Sequence, residues 1–209
     1  MGKAVVKDAL ILAVITLCAG VLLGFVHEIT LEPIAQANYN AQQAAYRTVF
    51  EDADSFLEDE NFDSESATAD TYANHGDQFD GLNISIDNVA TAVDASENTL
   101  GYVVVVTDSD GYGGDITFSV GIANDGTVNG YSITSIGETA GLGMKATEEK
   151  FYSQFQGKNV DAFEVVKTTA ASDSEIEAIS GATITSRAVT NGVNFAIRYF
   201  QDNLMGGAE

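Results

Sequence analysis

The first apolar segment of the chain is long and unbroken. Every residue from Ala9 to Val26 is apolar or small, apart from Thr16. Because a helix rises 1.5 Å per residue, such a segment crosses a hydrocarbon core of about 30 Å if the residues that follow it lie at the interface. We therefore predict one transmembrane helix over residues 9–29, preceded by a short N-terminal segment, residues 1–8.

The basic residues near this span lie on one side of it. Lys3 and Lys7 precede the span, and the next basic residue is Arg47. The positive-inside rule then predicts a cytoplasmic N-terminus and an extracytoplasmic remainder, in a single-pass protein of the plasma or inner membrane. A cleaved signal peptide is the alternative, but no Ala-x-Ala-like cleavage site closes the apolar run.

Helical spacing of small apolar residues continues after the span. These residues are Ile34, Ala37, Ala41, Ala44, Ala45 and Val49. They predict a linker helix over residues 30–50, with Thr30 as its cap and Pro33 in its first turn. From Glu51 to Asp80 the chain becomes acidic and polar, which predicts loop or irregular structure.

From Asn83 onwards, apolar and polar residues alternate as they do in half-buried strands. The predicted strands lie around Ile84 and Ile86, Tyr102 to Val106, Ile116 to Val120, and Val128 to Ile136. Asn124-Asp125-Gly126 has the composition of a tight turn between the last two of them. Consecutive strands joined by short turns predict an antiparallel meander.

Helices are expected on either side of this meander. Phe151 to Gln156 read as helical, and Ala162 to Lys167 as one more strand. Near the C-terminus, apolar residues at three- and four-residue spacing predict an amphipathic helix, and they are Val189, Val193, Ala196, Ile197 and Phe200. The predicted class is α+β, an antiparallel sheet flanked by helices in a domain of residues 51–209, with one N-terminal transmembrane helix.

The formal net charge of −22 lies almost entirely on the predicted external part. Such a surface repels nucleic acid and anionic lipid headgroups, so we exclude nucleic-acid binding. The length outside the span is ordinary for one globular domain with a real core.

A run of small and hydroxyl residues, Glu177 to Ser186, opens the predicted C-terminal helix. Helix N-termini present free N–H groups and the positive end of the macrodipole, so a phosphate is stabilised there. Gly181 and Ala182 leave the backbone uncovered. From the residues alone, a Ser-capped helix without a ligand is the simpler interpretation, since Ser is a preferred N-cap.

Two glycine clusters lie at predicted strand ends. They are Gly111-Tyr112-Gly113-Gly114-Asp115-Ile116 and Glu138-Thr139-Ala140-Gly141-Leu142-Gly143. Either could be a tight turn only. Asp108 and Asp110 resemble the start of a calcium loop, but Tyr112 stands where an oxygen ligand is needed, so no metal site is predicted. His27 and His75 have no catalytic partner in the sequence, so we expect no catalytic residues.

Ser180-Gly181-Ala182-Thr183 resembles the flavinylation motif of an FMN-binding family. That family includes the G subunit of Rnf electron-transport complexes and the C subunit of the Na+-translocating NADH:quinone reductase. The two glycine clusters resemble its other signatures, Gly-Tyr-x-Gly-x-Ile and Glu-Thr-Pro-Gly-Leu-Gly, with Asp115 and Ala140 in place of prolines. Glu177 stands where the family motif usually has Asp.

The resemblance implies that Thr183 carries FMN through a phosphodiester bond, installed from FAD by a dedicated flavin transferase. It also implies a set of surrounding residues, namely Tyr112, Gly113, Gly114, Glu138, Thr139, Gly141, Leu142, Gly143, Lys145, Ser180, Gly181, Ala182 and Thr185. Among these, Leu142 would cover a face of the ring and Glu138 would order its loop. Arg187 is an optional counter-charge for the phosphate.

By resemblance, the chain is an electron-transfer subunit of an Rnf-type complex, which moves electrons between reduced ferredoxin and NAD+ and couples them to ion translocation. Its partners would be the other membrane subunits and, during maturation, the flavin transferase. Three alternatives stay open: the C subunit of the quinone reductase, an anchored structural or adhesive ectodomain, and a stand-alone extracellular flavoprotein reductase.

Overall fold

The computed structural model of the protein describes residues 2–59 and 61–205. Residue 1 and the side chains of Lys3 and Ala4, in the predicted N-terminal segment, lie outside the description, as do residues 60 and 206–209 of the predicted domain. The chain divides into two compact units, Met1–Ala41 and Gln42–Glu209. Each unit is described by itself.

Helix α1 spans Gly2–Val49 without interruption. The predicted cap at Thr30 is therefore wrong. The Thr30 hydroxyl donates to the carbonyl oxygens of Val26 at 2.9 Å and His27 at 3.0 Å, so it is satisfied inside the helix and does not begin a new one. Pro33 lies inside the helix. In the first unit, the apolar side chains of α1 are exposed, as those of a membrane span would be in the absence of lipid.

The second unit is built on a five-stranded antiparallel sheet in the order β1-β2-β3-β4-β5. The strands are β1 (Ser55–Glu58), β2 (Ile84–Val93), β3 (Thr99–Asp108), β4 (Ile116–Ala123) and β5 (Val128–Ile136). The predicted meander is confirmed, as is the turn at Asn124–Gly126, where the Gly126 N–H donates to the Ala123 carbonyl oxygen at 2.9 Å.

Both faces of the sheet are covered, which explains the continuous valine run of β3. Val104 and Val106 face the main core with Phe118 and the C-terminal helix. Val103 and Val105 face a smaller core built on the end of α1, whose members include Tyr46, Val49 and Phe50. A strand buried on both faces loses the polar half of its alternation.

The prediction of irregular structure over residues 51–80 is wrong. This segment contains β1 and helix α2 (Ser64–Phe79). Asp63 caps α2 by accepting hydrogen bonds from the backbone N–H groups of Glu65 and Ser66. The buried face of α2 consists of Ala67, Thr71 and Phe79. Because two of these residues are small or polar, the sequence shows no apolar residues at helical spacing here.

Helix α4 (Thr183–Asn203) lies on the sheet, and its predicted apolar face is buried as expected. A Cβ on Gly192 would lie 2.5 Å from Phe118 Cζ, so this glycine lets the helix approach the sheet closely. The predicted helical segment after residue 150 is confirmed as α3 (Glu149–Tyr152), followed by a 3-10 turn, Ser153–Phe155.

The predicted strand around 162–167 exists as β6 (Glu164–Val166), but it is not part of the meander. It pairs in parallel with β7 (Glu175–Glu177), a strand that the sequence did not predict. Strand β7 leads directly into the hydroxyl-rich run, so this small sheet sets where that run begins.

Candidate functional site

The segment before α4 is folded into a fixed bend. The Ser186 hydroxyl accepts the Ile179 N–H at 2.9 Å and donates to the Ala182 carbonyl oxygen at 2.9 Å. The Ala182 N–H donates to the Ile179 carbonyl oxygen, also at 2.9 Å. Gly181 adopts φ +80°, a conformation that a side chain would disfavour. Ser180 and Gly181 are therefore presented on the surface of a rigid turn.

The N-cap residue of α4 is Ala182, whose side chain makes no capping hydrogen bond. The interpretation of the run as a Ser-capped helix is therefore wrong. Thr183 is the first residue of the helix, and its side chain is half-buried. The partial positive charge of the helix N-terminus lies beside this hydroxyl and would stabilise a phosphate there.

The second glycine loop packs directly on this turn. Leu142 Cδ2 lies 3.2 Å from the position that a Cβ would occupy on Gly181. A Cβ on Gly143 would lie 2.5 Å from Glu138 Oε2 and 2.7 Å from Thr185 Oγ1. A side chain at residue 143 would have to displace the buried carboxylate of Glu138 and the buried hydroxyl of Thr185.

The first glycine turn joins the same place through Glu138. The Glu138 Oε1 atom accepts the backbone N–H of Tyr112 at 2.8 Å. A Cβ on Gly113 would lie 2.4 Å from the Gly137 carbonyl oxygen. The three segments predicted from the sequence are thus in contact: the first turn meets the second loop, and the second loop meets the start of α4.

The Thr185 hydroxyl is fully buried and has no hydrogen-bond partner among the residues that the structure describes. Such groups are rare in native proteins and need an explanation. It lies against Gly143 and not on the outer surface of the turn.

Exposed apolar side chains occur in each of the three segments. Tyr112 is 72% exposed, Leu142 43% and Ile184 52%. Ile184 was not predicted as a site residue. It stands about 140° around the helix from Val189, so it lies off the predicted apolar face, and this position could have marked it as exposed. An exposed apolar set at converging loops is typical of a ligand site or an interface.

A cavity of about 350 Å³ opens beside the turn. Lys145 and Ser180, both predicted site residues, line it together. The remaining lining residues are Glu148, Lys150, Phe151, Gln154, Glu177, Ala178 and Ile179. The lining carries two lysines and two glutamates, so its charged side chains balance, whereas the chain as a whole has a net charge of −22.

The other predicted residues shape the loops. The Thr139 carbonyl oxygen accepts the N–H groups of Leu142 at 3.1 Å and Met144 at 3.2 Å, which closes the second loop. Gly141 at φ +76° and Gly114 at φ +101° occupy positions that favour glycine. Arg187 is exposed in the second turn of α4.

Asp108, at the end of β3, lies just before the first glycine turn and is fully buried. Burial raises the pKa of its carboxyl group from 3.8 to about 7, and the nearby charge of Asp110 adds to this, although the Asp110 N–H opposes it by donating to Oδ1 at 2.8 Å. Within residues 2–59 and 61–205, no group of three or more acidic, His or Cys side chains could hold a metal ion.

These residues fit FMN. The uncapped start of α4 suits a phosphate, the exposed Leu142 suits the apolar ring, and the cavity offers Lys145 and Ser180 to the polar groups of the cofactor. The orphaned hydroxyl of Thr185 lies at the junction of the same segments.

Comparison with known families agrees with this fit. The family model of the FMN-binding domain matches residues 111–198, which begin at the first glycine turn and include most of α4. The model of the RnfG N-terminal region matches residues 1–49. The helix Val5–Val49 is long and apolar enough to cross a membrane. Together, the two observations support α1 as a membrane anchor, and it is the one helix of this kind among residues 2–59 and 61–205.

Curated relatives are similar over nearly the whole chain. The G subunit of the proton-translocating ferredoxin:NAD+ oxidoreductase complex of Clostridium ljungdahlii is 34% identical over 179 residues, covering 86% of this chain and 82% of that protein. The G subunit of the Na+-translocating ferredoxin:NAD+ oxidoreductase complex of Acetobacterium woodii is 33% identical over 202 residues, covering 96% and 93%.

Two crystal structures share the fold. NqrC of Shewanella oneidensis aligns with a TM-score of 0.51 at 22% identity, covering 75% of this chain and 84% of that one. The C subunit of the Na+-translocating NADH-quinone reductase of Parabacteroides distasonis aligns with a TM-score of 0.53 at 19% identity, covering 82% and 95%. Because the identity to the G subunits is higher and extends across both the anchor and the domain, the chain belongs to the family of G subunits of Rnf-type ion-translocating oxidoreductase complexes.

Proposed function

We propose that this chain is a membrane-anchored electron carrier whose FMN is esterified to the Thr183 hydroxyl. The observation that carries this proposal is the contact of three segments at the start of α4, through Leu142 on Gly181 and Gly143 on Thr185. These contacts surround one half-buried threonine in the region matched by the FMN-binding domain.

Thr183 acts as the attachment point. Its Oγ1 atom forms a bond to the FMN phosphorus of FAD, the pyrophosphate bond of FAD breaks, AMP leaves, and the hydroxyl proton is released. A flavin transferase would catalyse this step. The positive end of α4 favours the phosphodiester that results, since one negative charge remains next to the uncapped N–H groups of the first turn.

The neighbouring residues hold and orient the cofactor. Gly141 and Gly143 let the backbone of the second loop approach the ring, and Leu142 covers an apolar face. Lys145 supplies positive charge near the cofactor, which favours anionic reduced forms. When bound, FMN supplies the redox chemistry, while the protein supplies binding, orientation and electrostatics.

Covalent attachment suits the location that we propose. The positive charge of Lys3 and Lys7 favours a cytoplasmic N-terminus, so the FMN-binding domain would lie outside. A carrier outside the cytoplasm has no free FMN pool from which to replace a lost cofactor. An ester bond to Thr183 would keep it loaded.

Relatives of this chain are named as subunits of ferredoxin:NAD+ oxidoreductase complexes that translocate protons or Na+. We propose that this chain passes electrons within such a complex, with α1 holding it beside the other membrane subunits. The quinone reductase alternative is less well supported, because the identity to its C subunits is 19–22%. A purely structural ectodomain would not explain the match to an FMN-binding domain.

The assembled complex provides the functional test. A Thr183→Ala variant is expected to co-purify with the membrane subunits but to lose NAD+ reduction driven by reduced ferredoxin. Thr168→Ala, at an exposed threonine in the connection between β6 and β7, is the matched control and should keep wild-type activity. Wild-type electron transfer in an assembled Thr183→Ala complex would refute the proposal.

A further inference from the structure

Gln154, in the 3-10 turn after α3, is hydrogen-bonded to the segment that leads into the attachment site. Its Oε1 atom accepts the Glu177 N–H at 2.7 Å, and its Nε2 atom donates to the Glu177 carbonyl oxygen at 3.3 Å. The side-chain amide thus pairs with both backbone polar groups of one residue, as a neighbouring strand would. The Gln154 Nε2 atom also donates to the Phe151 carbonyl oxygen at 3.4 Å.

The opposite side of the same segment is held by β6. Glu177 lies opposite Val166 in the parallel pair, and the Ala178 N–H donates to the Val166 carbonyl oxygen at 2.8 Å. Ile176 and Ile179 are buried on either side of Glu177. Glu177 is therefore held by Gln154 on one side and by β6 on the other, and its position in the fold is fixed.

This arrangement determines which residues are accessible. Buried Ile176, Ile179 and Ala182 alternate with exposed Glu177 and Ser180, so the segment presents one polar edge. Both Glu177 and Ser180 line the cavity that also contains Lys145. A flavin donor is anionic at its pyrophosphate, so the position of the Glu177 carboxylate relative to the lysine affects how the donor approaches Thr183.

We infer that Gln154 is a positioning residue for flavin attachment, through its two hydrogen bonds to Glu177. Its hydrogen bonds are to Glu177 and Phe151 and not to Thr183. It fixes the position of the polar edge formed by Glu177 and Ser180 beside the cavity. The transferase therefore binds a segment that has a single conformation. The inference rests on the proposed attachment of FMN to Thr183.

The test is the rate of FMN transfer to the full-length protein in detergent, with purified transferase and FAD, followed by intact mass. Gln154→Met keeps the size of the side chain and removes both hydrogen bonds to Glu177, together with the longer one to Phe151. We expect kcat/KM of transfer to fall about tenfold, the effect of losing roughly 1.4 kcal/mol of hydrogen bonding. Gln154→Glu keeps the acceptor for the 2.7 Å bond, so kcat/KM of transfer is expected to fall by less in this variant.

Two controls separate positioning from general loss of stability. Gln156→Met makes the same change at an exposed residue two positions away and should transfer at the wild-type rate. Ile122→Val weakens the buried core of β4 by about 1 kcal/mol without touching the segment, and should also transfer normally. If Gln154→Met transfers at the wild-type rate, or if Ile122→Val is slowed as much, the inference is wrong.

The same experiment distinguishes this inference from the proposed function. A wild-type protein that gains FMN at Thr183 while Gln154→Met does so equally fast overturns only the role of Gln154. A Thr183→Ala protein that gains the same mass as the wild type overturns the attachment site itself.

Discussion

The buried carboxylate of Glu138 accepts a hydrogen bond from the backbone N–H of Tyr112 at 2.8 Å, and this bond joins two glycine-rich segments 26 residues apart in sequence. The other oxygen of Glu138 lies beside Gly143, which in turn packs on Thr185. Glu138 is therefore the link through which the first turn is connected to the start of α4.

Glu138→Ala should destabilise the second unit. The Tyr112 N–H loses its acceptor, and leaving a donor without its partner costs about 1–3 kcal/mol. Glu138→Gln keeps a side-chain acceptor of the same length and should lose less. Chemical unfolding of the full chain in detergent measures the free energy of unfolding of both variants. Equal losses of stability would show that the hydrogen bond from Tyr112 does not stabilise the second unit.

Gly143→Ala should be disruptive because the new Cβ would lie 2.5 Å from Glu138 Oε2 and 2.7 Å from Thr185 Oγ1. We expect a loss of about 1–3 kcal/mol in the free energy of unfolding, as for other overpacked sites. The matched control is Gly76→Ala in α2, where a Cβ meets nothing within 4 Å. This control should be neutral or stabilising, since alanine is the better helix former. Similar unfolding midpoints for the two variants would contradict the packing at Gly143.

Asp108 should make stability fall as the pH rises. Burial raises the pKa of its carboxyl group from 3.8 to about 7, so between about pH 4 and pH 7 the folded state binds the proton more tightly than the unfolded state does. The stabilisation from this group is complete below pH 4 and is lost as the pH passes through 7. Asp108→Asn removes this dependence.

Unfolding of the wild type and Asp108→Asn at pH 4, 6 and 8 measures this effect. The stability of the variant relative to the wild type should increase by on the order of 3 kcal/mol between pH 4 and pH 8. Other titrating groups are common to both proteins and cancel in the difference. A difference that stays constant with pH would mean that Asp108 is ionised normally in the folded protein.

The proposed orientation can be tested by labelling. Ser96, in the exposed turn between β2 and β3, is changed to cysteine in a Cys18→Ser background. A membrane-impermeant maleimide added to intact cells should label Ser96→Cys, because the FMN-binding domain is proposed to lie outside. Labelling that occurs only after lysis would reverse the orientation.

The meander and the C-terminal helix could be predicted from the sequence because local pattern alone determines them. Ile116 and Phe118 alternate with polar residues, and Val189 and Val193 follow the helical period. Each pattern therefore shows which face of its strand or helix is buried. The glycine turns were identified by motif, and their contacts at Gly113 and Gly143 explain why glycine stands there.

The elements that could not be predicted depend on tertiary contacts. Helix α2 buries Ala67 and Thr71, which carry no apolar signal. Strand β7 is three residues long and exists because β6 and Gln154 pair with it. Ser186, a fully buried serine in the first turns of α4, bonds Ile179 seven residues earlier, and no sequence pattern marks it.

Intact mass measures the attachment of FMN at Thr183 most directly. The full-length protein, co-expressed with a flavin transferase, is purified alongside Thr183→Ala and Thr168→Ala. We predict that the wild type and Thr168→Ala gain the mass of FMN less one water, with the adduct on the peptide containing Thr183, and that Thr183→Ala gains nothing. A wild-type protein without the adduct, or a Thr183→Ala protein that carries it, would contradict attachment of FMN at Thr183.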